Sequence, residues 1–252
     1  RVNASITRLQ LTPEGIPALW HYLKGTAEEL PEWLQNLHHL HFNGHIGGTL
    51  NDLSTQGELA TGIGSIVANA HVGTPADSTL TCQGHITSDS LDMKKLLGHE
   101  QPLGKVAFNL DFQGDQSPQK PASLHLKGAI PTLQYSDYTY QNIQLNGRFR
   151  KNTFDGVVGL EDPNVGLQVD GHFGISRRIP TFDLTARLAH FRPHDLKLTD
   201  KREGHEYAGI LNAHFTGNNP DNITGNIHID SLWAYLPRDT FFMPQLAIRA
   251  ET

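Results

Sequence analysis

Between Leu124 and Phe173 the chain follows one pattern three times: apolar, any, apolar, any, Gly, any, apolar. The copies are Leu124-Leu126-Gly128-Ile130, Ile143-Leu145-Gly147-Phe149 and Leu167-Val169-Gly171-Phe173. Side chains of a β-strand alternate faces with period two, so the four named positions of each copy share one face. A glycine at the same place in every copy marks a bend or a close approach of backbone. Earlier copies, Leu40-Phe42-Gly44-Ile46 and Leu80-Cys82-Gly84-Ile86, bring the number to five. The underlying unit reads as a hairpin or a pair of hairpins repeated along the chain.

Other alternating runs fill the intervals: Val106-Phe108-Leu110-Phe112, Phe154-Gly156-Val158-Leu160, Phe182-Leu184-Ala186-Leu188, Leu211-Ala213-Phe215 and Ile223-Gly225-Ile227-Ile229. These are strand signals, with Arg150–Thr153 and Glu161–Asn164 as joining turns. Their order predicts antiparallel meander pairing, with Phe241–Ala250 as a last strand. Helical signal is confined to the start. After a strand over Val2–Leu11, Thr12-Pro13-Glu14 opens a helix to about Lys24, stopped by Gly25. Thr26 and Glu29 form a capping box for a second helix with Leu30, Trp33, Leu34 and Leu37 on one face. Ser90–Leu97 reads as one short helical turn, and Asp195–His205 as a charged connection with a mobile tip. The organisation expected is a short strand and two helices over 1–38, leading into a β-repeat region over 39–252.

Composition narrows the function. The 252 residues are 37% hydrophobic and 18% charged, as in a folded globular chain. A net charge of −6, with both signs mixed, provides no basic stripe for phosphates, so nucleic acid is not an expected partner. No apolar run reaches the roughly 18 residues of a membrane span. With Arg1 in place of an initiator Met and no signal peptide, the chain reads as an excised internal piece of something longer.

The polar residues that invite chemistry have simpler readings. His39, His41 and His45 share the polar face of a predicted strand and could chelate a metal. Solvated strand histidines fit better, because no carboxylate or cysteine sits nearby in sequence to complete the set. Glu161-Asp162 and Glu28-Glu29 fit turn and helix-start chemistry rather than an acid pair across a cleft. Tyr138 and Tyr140, with Tyr135 near, could stack on sugar, but strand aromatics commonly serve cross-strand pairing. Cys82 lies at an apolar strand position and reads as core. No nucleophile elbow, P-loop, dinucleotide glycine set or His-Glu-x-x-His occurs, so neither catalysis nor a cofactor or metal is expected.

A dozen strands with one apolar face cannot leave that face in water. A second sheet, the N-terminal helices or a bound apolar ligand could cover it. The candidate lining residues are Phe42, Phe108, Phe112, Leu126, Leu145, Phe149, Val169, Phe173 and Leu184. A closed β-sandwich that recognises glycan or protein, and a structural spacer sealed by its own helices, are the rival readings.

Several stretches carry a resemblance: Tyr138-Thr-Tyr-Gln-Asn-Ile-Gln-Leu-Asn-Gly147, Phe154-Asp-Gly156, Glu161-Asp-Pro-Asn164, Leu167-Gln-Val-Asp-Gly171 and Pro180-Thr-Phe-Asp-Leu-Thr-Ala186. With Phe42-Asn-Gly-His-Ile-Gly-Gly48, Gly57-Glu-Leu-Ala-Thr61 and Arg192-Pro-His-Asp-Leu-Lys-Leu198, the chain resembles the β-repeat region of TamB-like proteins of the AsmA-like group. The resemblance implies a mainly β fold, an elongated, strongly curved antiparallel sheet of taco or half-pipe form with two short N-terminal helices. It also implies a periplasmic segment of a longer parent anchored in the inner membrane. Such parents move phospholipid between the inner and outer membranes, or support the assembly of outer-membrane proteins. On this reading the partners are phospholipid acyl chains and, through parts of the parent outside this chain, an outer-membrane assembly protein.

Overall fold

The computed structural model describes residues 4–24, 29–49, 51–74, 79–98, 102–174, 180–217 and 222–250. The protein is mainly β. Fourteen strands among the described residues are hydrogen-bonded in chain order, and the antiparallel sheet is not closed into a barrel. Every neighbour in the sheet is thus the neighbour in sequence, which short turns readily supply. The chain divides into two compact units, Arg1–Lys120 with Gly128–Thr139, and Pro121–Lys127 with Tyr140–Thr252.

The first unit begins with β1 (Ala4–Leu11), α1 (Gly15–Lys24) and α2 (Glu32–Gln35). Strands β2 (Leu40–Thr49), β3 (Asp52–Thr61), β4 (Gly64–Gly73) and β5 (Leu80–Asp92) follow. Then come α3 (Met93–Leu97), β6 (Leu103–Ser117) and β7 (Lys120–Tyr135), whose residues are shared between the units. The three helices have one job. Ile16 of α1, Leu37 after α2, Ile63 of the β3–β4 turn, Leu91 at the end of β5 and Val106 near the start of β6 make one buried cluster. Leu11, Leu40, Phe108 and Leu133 pack against it, together with Met93 and Leu96 of α3. The helices therefore close one end of the strand ladder in this unit.

Asp92 caps α3, its Oδ1 accepting the Lys95 amide at 3.0 Å. Replacing Asp92 by Ala is expected to cost about 1 kcal/mol, a fall of a few degrees in the melting midpoint followed by circular dichroism. The second helix is shorter than its sequence suggests. Pro31 stands at its N-cap with ψ 140°, and a residue before proline is driven from helical ψ, so the helix starts only at Glu32. Thr26 of the expected capping box lies outside the described residues.

The second unit carries β8 (Tyr138–Arg150), β9 (Thr153–Asp162), β10 (Val165–Gly174), β11 (Thr181–Phe191), β12 (Glu206–Thr216), β13 (Thr224–Leu236) and β14 (Asp239–Ala250). It contains no helix among the described residues. Two-residue turns join β8 to β9 and β9 to β10, with Lys151 in the left-handed region at φ 52°. In the second turn Asp162 is buried, and its carboxylate accepts the amides of Gln141 at 3.0 Å and Asn164 at 2.9 Å. Glu161-Asp162 is thus turn chemistry, with Asp162 tying the β9–β10 turn to β8. The connection between β11 and β12 packs Leu196 inward at 2% exposure. Arg192 fastens this connection to Glu206 at 2.8 Å and to the Pro163 carbonyl at 3.2 Å.

Candidate functional site

Cross-strand partners in an antiparallel sheet share a face, so the register sorts the second unit into rows. Leu145, Val158, Val169, Ala186, Leu211, Ile229 and Leu246 stand opposite one another across β8 to β14. Gly147, Gly156 and Gly171 form the next row, continued by Leu184 and Ala213. Beyond it Phe149, Phe154, Phe173, Phe182 and Phe215 line up over five strands. The glycine signature is one line of this pattern. In β9 the pattern runs backwards, Phe154-Gly156-Val158-Leu160, because the strand itself runs the other way.

The glycines are there for room. A Cβ on Gly156 would collide with the Asn146 carbonyl and the Gly147 Cα, and one on Gly147 would enter the ring of Phe154. Gly171 has the same constraint, its Cβ position lying 2.7 Å from the Leu184 Cα. Strands approach closely along this row, and the aromatic ring of a diagonal neighbour covers the bare backbone.

Six of the nine expected lining residues lie in this unit. Leu145, Phe149, Val169, Phe173 and Leu184 are half-buried on the apolar face. Leu126 is also half-buried, and its neighbour His125 pairs with Asn146 of the polar face at 2.9 Å, which directs Leu126 to the apolar side. Leu145, Phe149, Phe154, Val158, Phe173, Gly174, Pro180 and Phe182 surround a depression of about 440 Å³ with no charged or hydroxyl-bearing side chain in its lining. That volume falls within the roughly 300–1,000 Å³ of small-molecule sites.

The other three residues lie in the first unit and differ in setting. Phe42 is buried at 7% exposure opposite Leu9 and Leu59. Phe108 packs against the cluster below the helices. Phe112 is half-buried opposite Gly84. Phe42 is thus core of the first unit and Phe108 packs at its helix-closed end, so no ligand need be invoked to shield them.

Single-strand patterns missed Phe154, Val158 and Phe182 of the depression, because only the register aligns β9 and β11 with the glycine copies. Reading Phe154-Gly156-Val158-Leu160 in reverse would have found the first two. Also missed were Trp233, Tyr235 and Phe242, exposed at 38, 40 and 49%, with Trp233 and Phe242 ring centroids 4.4 Å apart.

The opposite face is polar and arranged as a ladder. Arg148, Asp155, His172, Asp183, His214, Asn226 and Arg249 stand in one row across β8 to β14. His172 Nδ1 lies 2.6 Å from Asp155, and His214 Nδ1 lies 3.6 Å from Asp183. In the first unit His85 meets Asp111 at 2.8 Å in the same way. These are solvated cross-strand pairs of a kind that contributes little individually. His39 and His45 are exposed and His41 half-exposed. Among the described residues no three His, Cys, Asp or Glu side chains come together as a metal site. Tyr135 is exposed, Tyr138 and Tyr140 are half-buried, and Cys82 is half-buried opposite Val72 and Gly114. Glu28 lies outside the described residues. Comparison with known proteins finds no family model, curated protein or solved structure that matches this chain.

Proposed function

We propose that this chain is a non-catalytic segment of a periplasm-spanning envelope protein, anchored elsewhere in the inner membrane, whose apolar β-face carries lipid acyl chains between the two membranes. Support for outer-membrane protein assembly is the other role in keeping with the TamB-like resemblance. One observation carries the reading: the second unit presents rows of Phe, Leu and Val that, Phe154 apart, are only half-buried, around an apolar depression, with no helix among its described residues to cover them. Exposing such a face costs about 25 cal/mol per Å² of apolar surface, so an apolar occupant stabilises it. Acyl chains meet that requirement while their headgroups stay in water, each buried methylene contributing roughly 0.8 kcal/mol. The first unit differs because its helices already shield one end of the sheet.

The test is solvent extraction of the purified full chain followed by mass spectrometry. Phospholipid, or detergent that has replaced it, is expected in stoichiometric amount, and Phe173→Glu is expected to lose it while remaining folded. A folded protein that yields neither lipid nor detergent sinks the proposal.

A further inference from the structure

The order of side chains on the apolar face supports a narrower conclusion, which rests on the lipid-carrying reading. Adjacent rings along the phenylalanine row have centroids 4.8, 5.8, 6.2 and 4.6 Å apart from Phe149 to Phe215. Phe149 to Phe182, the part of the row that lines the depression, crosses four strands at about 4.8 Å spacing and spans roughly 14 Å. Along any one of β8, β9 and β10 the face is corrugated, passing from Phe to Gly to Val or Leu within a few residues. Across the strands ring stands beside ring from β8 to β12, and glycine beside glycine from β8 to β10, where Leu184 of β11 takes the next place. The continuous trough therefore runs crosswise. Phe154, exposed only 6%, makes its floor by lying over Gly147. Phe149, Phe173 and Phe182 form one wall, and Leu145 and Val158 the other. Half of a bilayer's ~30 Å hydrocarbon core, about 15 Å, is the depth one lipid chain occupies, close to the length of the trough.

We infer that this trough holds a single unbranched acyl chain laid across the strands, and that Phe149, Phe173 and Phe182 determine which chain lengths it prefers. The full chain is titrated with octanoate, laurate, palmitate and arachidate in competition with fluorescent cis-parinarate. Affinity is expected to rise by about fourfold per methylene while the chain lengthens within the trough, and to level off between laurate and palmitate. Phe173→Leu is expected to weaken palmitate by about tenfold and octanoate far less. Asn226→Ala, on the polar face, is expected to leave both within about twofold. Circular dichroism checks that each variant is folded, and the wild-type series decides the length response without any variant. If fatty acids bind with no length plateau, or if Asn226→Ala weakens palmitate as much as Phe173→Leu, the crosswise trough is wrong and the carrier reading stands. If no fatty acid displaces the probe, the carrier reading fails with it.

Discussion

Replacing Phe154 by Ala is expected to destabilise the protein by about 3–5 kcal/mol. Its ring is buried, lies 4.8 Å from Phe149 and 5.8 Å from Phe173 between centroids, and covers the bare backbone of Gly147. Truncation removes the floor of the depression, and neighbours held in register across the strands cannot collapse into the gap. Urea unfolding checks the size of the loss. Phe154→Leu, which keeps most of the volume, should recover well over half of it. An alanine variant as stable as the wild type would mean that the ring row is surface decoration, not packing.

Gly156→Ala is expected to be comparably damaging, at roughly 3 kcal/mol or more, although it adds one methyl group. The added carbon meets backbone, the Asn146 carbonyl and the Gly147 Cα, and neither can swing aside as a side chain would. Gly159→Ala, three residues along the same strand, is the matched control. There the nearest atom is Gln144 Cβ at 3.7 Å, an ordinary contact, and alanine should be neutral or stabilising by up to about 1 kcal/mol. Thermal unfolding by circular dichroism separates the two. Equal midpoints for both variants would remove the steric account of the glycine row.

Period-two alternation around Ile143, Leu167 and their neighbours was enough to predict strands, their order and the face each copy presents. The turns at Arg150–Thr153 and Glu161–Asn164 were equally plain, since their residue types favour few other conformations. β3 and β4 did not stand out, because Ser54, Gly57, Ala60, Ala68 and Ala70 supply little hydrophobic contrast to reveal a period. The second helix was read too long because Pro31 acts on the residue before it as well as on its own N–H.

The alternation along each strand determined that this protein is an antiparallel β-structure with one apolar and one polar face. It could not say which residue stands beside which, because a strand's side chains repeat every two residues and any even shift in pairing keeps the same face inward. Only the tertiary structure set Phe149, Phe154, Phe173 and Phe182 in one line with the glycines in the next, and only it placed Phe42 and Phe108 in core positions of the first unit. The physical reason is that register is decided by tight turns and by backbone contact across strands, such as Gly147 against Gly156, neither of which is a property of any single strand.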